Sequence, residues 1–391
     1  MTSVNKTYSG KKIPRMNSST VQRDSNLELC RIILMLAIIA YHFETQTDIV
    51  SEPHDSWPSF FAMFLGSFGR TGVDAFVLIG AWFLIDLPFK SIRFVRLYLT
   101  TFFYTVTVTM AVLLLKANPQ GTSLKQLFFA FSPFSSSPLW FVSCYLLLLL
   151  LSPFFNSLIH TLSPAKYRML YWILLVVFVF LPTVESLIPG FSVYDKYIVK
   201  SDMSVMVALY LIAGYWKRIK EPFFTNRNRA ALCVAALTAG CAALCLMDCF
   251  ACHWIHADYP LRKLHNFLEF FFRDLGSVFC IGMAGAVFFL FRSFHFTVPA
   301  INMIARNTLG IYVLHQVPCL VPVMWSWFHV KEWCEAPYFL LCEIGTIAAV
   351  FLGCWLIDFL RDWMMKPIYN TAWMQHFLSK ADSLFAEENA P

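Results

Sequence analysis

Charged residues are scarce in this sequence. Asp, Glu, Lys and Arg make up 14% of the 391 residues, whereas soluble globular proteins contain about a quarter. Hydrophobic residues make up 58%, and several apolar runs reach the ~20 residues that cross a bilayer. These values exclude an ordinary soluble domain and predict an all-α integral membrane protein. The net charge of +6 does not indicate a nucleic-acid partner, because basic residues in membrane proteins mainly mark the cytoplasmic side.

No cleavable signal peptide, internal repeat or disulfide framework is evident from the sequence, and none is expected. The polar first 26 residues carry Lys6, Lys11, Lys12, Arg15 and Arg23 and are predicted to form a cytoplasmic tail. The twelve cysteines lie mainly inside apolar segments, where a thiol is usually a small packing group. Without a repeat, nothing favours the inverted halves that are common in transporters.

Ten apolar segments are predicted to span the membrane. Most Lys and Arg residues fall in alternate connecting segments, on the side of the N-terminus, so both termini are predicted to be cytoplasmic. The transmembrane domain is assigned to 27–361, between an N-terminal tail at 1–26 and a C-terminal tail at 362–391. The predicted spans are 27–44, 66–86, 97–115, 139–158, 169–188, 204–219, 230–250, 267–291, 307–328 and 338–360.

The first span contains two ionisable residues that an apolar helix does not need. Arg31 and His42 are eleven positions apart, which is close to three helical turns. They therefore lie on one face, about 16 Å apart along the axis. Arg31 could extend to the membrane boundary, and His42 could make only a packing hydrogen bond. Since ionisable groups at membrane depth usually face a cavity or a partner, His42 is predicted to be functional.

Other polar residues admit two interpretations. Arg70 and Asp74 in the second span could form an i, i+4 pair, or could face a cavity. Arg93 and Arg96 could anchor an inner loop, or could bind phosphate, since guanidinium groups match phosphate geometry. For His315, packing and function are equally compatible with its position.

The remaining ionisable residues of the spans are predicted to be structural. Glu269 and Arg273 are spaced as an i, i+4 pair. Glu343 and Asp358 lie near predicted span ends, where they are expected to reach water.

One short motif suggests a different chemistry. Cys249, Cys252 and His253 form C-x-x-C-H, the attachment motif of c-type haem, and His256 could complete a metal site. The cysteines also continue a stripe of small residues along one helix, and nothing downstream clearly supplies a second axial ligand. No metal or prosthetic group is therefore predicted.

Five motifs resemble, in their order and spacing, those of the acyltransferase-3 family of bacterial membrane proteins. This family includes polysaccharide and peptidoglycan O-acetyltransferases. The family's usual Ser-Gly after the second motif is Ile79-Gly80 here, so the role of that serine hydroxyl is absent or supplied elsewhere. The motifs are NLELCR at 26–31 leading to AYHF at 40–43, GVDAFVL at 72–78, RFVRLY at 93–98, PLWF at 138–141 and RNTLGIYVLH at 306–315.

The resemblance implies an O-acyltransferase of the bacterial cytoplasmic membrane. Its donor would be cytoplasmic acyl-CoA, most often acetyl-CoA, and its acceptor a hydroxyl of a glycan or lipid-linked sugar at the outer face. Arg31, Arg93 and Arg96 would then hold the CoA phosphates. His42 would act as general base on the acceptor hydroxyl or would carry the acyl group itself.

The other site residues follow from the same interpretation. Asp74, with Glu44 as the alternative, would orient the imidazole. Arg70, Trp140 and His315 are assigned to substrate binding. The rival functions are a transporter or flippase of a lipid-linked sugar, and a haem-bearing electron carrier.

Overall fold

A computed structural model of the chain consists of helices and connecting segments. It describes residues 24–47, 49, 56–117, 124–132, 139–187, 201–254 and 270–386, and no strand occurs within them. The side chains of 124–127, 250–254, 385 and 386 are not described. The predicted all-helical fold is therefore confirmed for the described part of the chain.

The helices are numbered in chain order. The first half contains α1 (Asn26–Gln46), α2 (Trp57–Gly66), α3 (Gly69–Leu84), α4 (Ser91–Leu114), α5 (Leu124–Phe131), α6 (Trp140–Thr161), α7 (Pro164–Leu175) and α8 (Leu181–Leu187), the last two joined by a π-helical turn (Val176–Phe180). The second half contains α9 (Asp202–Arg218), α10 (Arg227–Trp254), α11 (Val278–Arg292), α12 (Pro299–Ala305), α13 (Thr308–His315), α14 (Val321–Ser326), α15 (Val330–Trp333), α16 (Phe339–Tyr369) and α17 (Ala372–Ala386).

Seven helical segments in the described residues are long and apolar enough to cross a bilayer. The short helix α2 forms one of these segments together with α3. The segments are Asn26–Gln46, Trp57–Leu84, Ser91–Leu114, Trp140–Thr161, Pro164–Ser186, Arg227–Cys249 and Phe339–Tyr369.

The other three predicted spans correspond to shorter or broken helices. The span at 204–219 is α9, with 17 residues. The span at 267–291 is interrupted between Asp274 and Ser277, so that only the 15 residues of α11 form its main helix. The span at 307–328 is broken between α13 and α14, at the segment that contains Pro318, because proline removes a backbone donor and collides with the preceding turn.

Close packing of α1 against α3 sets the position of His42. A Cβ atom added to Gly69 would lie 2.2 Å from Cβ of Tyr41, and one added to Gly72 would lie 2.9 Å from the carbonyl oxygen of Leu34. The two backbones can approach this closely only because both α3 positions are glycine. The C-terminal part of α1, with Tyr41 and His42, is therefore held against the start of α3.

A buried polar cluster joins α4, α13 and α16. Asp358, which is 1% exposed at its side chain, accepts hydrogen bonds from Tyr104 (2.9 Å), Asn307 (2.6 Å) and Arg361 (2.7 Å). Gly310 packs against the same carboxyl group. The expectation that Asp358 reaches water is wrong, because α16 continues to Tyr369 and its carboxylate is enclosed by neighbouring helices.

The helix α16 continues past residue 361, the predicted end of the transmembrane domain, to Tyr369. Beyond it, α17 contacts the start of α4, where Asp382 accepts a hydrogen bond of 2.7 Å from the backbone N–H of Ser91.

Candidate active site

His42 and His315 face each other across α1 and α13. Nδ1 of His42 lies 3.0 Å from Nε2 of His315, and the ring centroids are 5.1 Å apart. His315 is fully buried and His42 is half-buried. Two residues that sequence analysis treated separately are thus in direct hydrogen-bonding contact.

The second nitrogen of His315 determines the direction of this hydrogen bond. Nδ1 of His315 lies 2.7 Å from the carbonyl oxygen of Ile311, and a carbonyl can only accept, so this nitrogen carries a proton. No carboxylate contacts the buried ring among the described residues, and an unpaired buried imidazolium is costly. His315 is therefore neutral and accepts at Nε2 from the Nδ1–H of His42.

This arrangement leaves Nε2 of His42 with its lone pair available. Within the described residues, no hydrogen bond to this nitrogen is present. A neutral imidazole held in this tautomer can accept a proton or attack an electrophile.

The position of His315 depends on the break between α13 and α14. His315 is the last residue of α13. The following Gln316 accepts from the side-chain amide of Gln46 at 3.1 Å, and Gln46 accepts from the indole N–H of Trp325 at 2.7 Å. These bonds fasten the end of α1 to both sides of the break.

Arg70 lies between two aromatic rings beside His42. Its Cζ atom is 5.4 Å from the ring centroid of Tyr41 and 5.1 Å from that of Trp140, within the range of cation–π attraction. Arg70 and Trp140, both predicted to bind substrate, are thus brought together at the end of the bundle where His42 lies.

Asp74 is buried one turn further along α3. Both of its carboxylate oxygens lack a hydrogen-bond partner among the described residues. The Arg70–Asp74 pair considered from the sequence is not formed as a hydrogen bond. The partner of His42 Nδ1 is His315, so this geometry gives the orienting contact to His315 and not to Asp74.

Glu44, the alternative orienting residue, has a different partner. It is 1% exposed at its side chain and forms an ion pair with Arg273. Glu269, the partner predicted for Arg273, lies outside the described residues. Glu343 is fully buried, which contradicts the expectation that it reaches water.

The three predicted donor-site arginines occupy the other end of the bundle. Arg31 pairs with Glu28 at 2.9 Å, and Arg93 donates to the carbonyl oxygen of Pro88 at 3.2 Å. Arg96 instead lies over the ring of Tyr369, 5.1 Å from its centroid.

The C-x-x-C-H motif lies largely outside the described side chains. Cys249 is buried, and its thiol lies 3.5 Å from the sulfur of Met63. Among the described residues, no group of three or more His, Cys, Asp or Glu side chains has a metal-binding arrangement.

Comparison with known proteins identifies the family of the chain. The sequence profile of the acyltransferase-3 family, described as an acyltransferase domain, matches residues 24–370. The chain belongs to the acyltransferase-3 family. The match includes both histidines and every residue assigned to the site. No curated protein and no solved structure matches the chain.

Several residues around the histidine pair were not predicted from the sequence. Tyr312 lies one turn before His315, and its ring centroid is 6.5 Å from that of His42. Its i, i+3 spacing from His315 was the signal that could have indicated it. Gln46 and Gln316 carried no comparable signal, because their pairing depends on the break after α13.

Proposed function

We propose that this membrane acyltransferase moves an acyl group, most simply acetyl, from cytoplasmic acyl-CoA to a hydroxyl of an extracytoplasmic glycan or lipid-linked sugar. The family establishes acyl transfer. The observation that carries the rest of the proposal is the hydrogen bond between His42 and His315. The family match gives no support to the alternative of a transporter or flippase.

In the proposed reaction, His42 is the general base. The acceptor hydroxyl oxygen attacks the thioester carbonyl carbon, and its proton moves to Nε2 of His42. The carbon–sulfur bond then breaks, and the CoA sulfur leaves with that proton. His315 is a positioning residue, because it holds the Nδ1–H of His42 and stabilises the imidazolium through the hydrogen bond. A relay through acyl-histidine would use the same Nε2 atom.

The donor is proposed to enter at the end of the bundle that contains Arg31. Arg31 and Arg93 lie near the starts of α1 and α4 and can form charge-assisted hydrogen bonds with phosphate groups. Arg96, on the same helix as Arg93, extends this basic region. The pantetheine arm would follow the about 16 Å along α1 from Arg31 to His42.

The acceptor is proposed to approach from the opposite end, where Arg70 and Trp140 stack. Aromatic rings beside a cation suit a sugar, which presents apolar C–H faces and hydroxyl groups. The chain is proposed to cross a bacterial cytoplasmic membrane ten times, with both termini in the cytoplasm. The end with Arg31 would then face the cytoplasm, and the end with Arg70 and Trp140 would face the outside. The bias of basic residues supports this orientation.

The test is acyl transfer by the purified protein in lipid vesicles, with radiolabelled acetyl-CoA and surface glycan extracts as acceptors. His42→Ala is expected to lower the rate at least about 100-fold, since general bases contribute 10²–10⁴-fold. The matched control is His376→Ala, which removes an exposed histidine of α17. Retained transfer by correctly inserted His42→Ala protein excludes the proposal.

Donor binding is tested separately with CoA alone. Arg31→Ala is expected to weaken CoA binding measured by calorimetry, while His42→Ala leaves it nearly unchanged. Equal CoA affinity in wild type and Arg31→Ala removes Arg31 from the donor site.

A further inference from the structure

A groove between α7, α9 and α11 lies apart from the histidine pair. Its volume is about 620 Å³, within the range of about 300–1,000 Å³ that is typical of ligand pockets. Trp172 and Val278 on its walls are 59% and 43% exposed, so the groove opens on the outer surface of the bundle. That surface faces lipid in a membrane-spanning protein.

One end of the groove is positively charged. Arg168 from α7 and Lys220 from the segment after α9 line it, and neither side chain has an ion-pair partner among the described residues. Glu221 also lines this end, but it is paired with Arg292 at 2.9 Å. The two remaining cations are available to an anion.

The depth of the groove matches one leaflet of a bilayer. Along α11, the lining residue Val278 is fourteen positions from Arg292, which is about 21 Å of helix. Along α7 and the π-helical turn, Val179 is eleven positions from Arg168, which is about 16 Å. One leaflet is about 15 Å deep in its hydrocarbon part and about 20–22 Å with its headgroup region.

Aromatic side chains form a rigid wall along this depth. The rings of Tyr171 and Tyr215 stack with centroids 4.1 Å apart, and the indole N–H of Trp216 donates to the hydroxyl of Tyr171 at 3.3 Å. The π-helical turn lies beside this wall, and such turns are frequent at functional sites. The groove is therefore apolar and preformed below its charged end.

The backbone of α11 is exposed to the groove at Gly282. A Cβ atom placed on this glycine meets no other atom within 4 Å. The missing side chain leaves room for a ligand, and a side chain placed here would begin in open space within the groove.

We propose that this groove binds one anionic phospholipid of the leaflet at which the basic residues lie. The lipid phosphate contacts Arg168 and Lys220, and an acyl chain lies along Tyr171, Trp216 and Gly282. An anionic headgroup fits because Arg168 and Lys220 are both positively charged, while the one carboxylate at this end, Glu221, is already paired with Arg292. The site does not depend on the proposed acyl transfer.

The test is native mass spectrometry of the detergent-purified full-length protein, titrated with phosphatidylglycerol or phosphatidylcholine. Wild type is expected to bind one phosphatidylglycerol in preference to phosphatidylcholine. A basic residue near the membrane surface contributes about 1 kcal/mol to anionic lipid binding, which is about 5-fold. The double variant Arg168→Gln/Lys220→Gln is therefore expected to bind phosphatidylglycerol about 25-fold more weakly.

Gly282→Leu is expected to abolish binding of both lipids by filling the groove. Its matched control is Gly353→Leu, at another glycine whose added Cβ meets nothing within 4 Å. Lys166→Gln, which removes an exposed charge outside the groove, controls for the double variant. Both controls are expected to bind as wild type does.

Three results would overturn the proposal. Wild type could show no preference for phosphatidylglycerol, or the preference could persist in both groove variants. Loss of binding in Gly282→Leu with full retention in the charge variant would mean that the groove does not select an anionic lipid.

Discussion

Both nitrogens of His315 are occupied by hydrogen bonds, one with a carbonyl oxygen and the other with His42. The contact with His42 needs only an acceptor at the position of Nε2. A side chain that retains an acceptor there should preserve the tautomer of His42, whereas an apolar side chain should not.

Replacement of His315 separates these two cases. His315→Leu is expected to lower acyl transfer at least about 100-fold, because His42 loses the acceptor that fixes its tautomer. His315→Gln, whose amide oxygen can accept from Nδ1–H, should recover a measurable part of the rate. The measurement is kcat and KM in vesicles, with the loss expected in kcat. Equal rates for the two variants would contradict a positioning role.

Asp74 provides the complementary prediction. Its carboxylate makes no hydrogen bond among the described residues, and His42 is oriented by His315. Asp74→Asn is therefore expected to lower kcat less than about 10-fold, and to leave the thermal midpoint of the protein equal or higher, since burying an unpaired carboxylate is costly. A loss as large as that of His315→Leu would return a direct catalytic role to Asp74.

Sequence spacing could predict the relation of Arg31 to His42, because both lie on one helix of known periodicity. It could not predict that His42 meets His315, which is 273 positions away and reaches it only through tertiary packing. Burial of Glu343 and Asp358 was missed for a related reason. Distance from a span end gives depth along a helix, but not what surrounds the helix at that depth.

At the scale of elements, the cluster around Asp358 fixes α13 against α4 and α16. Gly310→Ala is expected to destabilise the protein by about 1–3 kcal/mol, because the added Cβ would lie 2.1 Å from the carboxyl carbon of Asp358. Gly353→Ala in α16 is the matched control and should be neutral or up to about 1 kcal/mol more stable. Thermal unfolding in detergent measures both. Equal midpoints would show that α13 can move away from Asp358.

The helix interruptions illustrate what apolar runs do and do not reveal. Pro318 and Pro322 were visible signals within the predicted span 307–328, yet its continuous hydropathy favoured one helix. A broken helix is tolerated at membrane depth when other groups satisfy its backbone, and here the side-chain amide of Gln316 donates to the carbonyl oxygen of His315 at 3.3 Å. Hydropathy alone contains no information about such contacts.

At the scale of the molecule, composition was sufficient to predict a helical membrane protein. Composition and hydropathy could not predict the number of membrane crossings equally well, because α9 and α11 are short and the span at 307–328 is broken into α13 and α14. Short helices enclosed by longer ones need not satisfy the length that a lipid-exposed helix requires.

The proposed orientation makes a prediction for the whole chain. An epitope tag after the last residue should be protected from protease in intact cells, because the C-terminus is expected on the cytoplasmic side. A second tag inserted after Glu335, between α15 and α16, should be cleaved. Permeabilised cells, in which both tags are cleaved, are the control. Cleavage of the C-terminal tag in intact cells would reverse the orientation.

The hydrogen bond from His315 to the carbonyl oxygen of Ile311 also bears on proton leakage across the membrane. When His42 accepts a proton at Nε2, its Nδ1 proton can at most shift to Nε2 of His315. Transfer along this ring ends there, because Nδ1 of His315 faces a backbone carbonyl oxygen, which is too weakly basic to accept a proton. The histidine pair can therefore perform acid–base chemistry inside the bilayer without passing protons onward through His315.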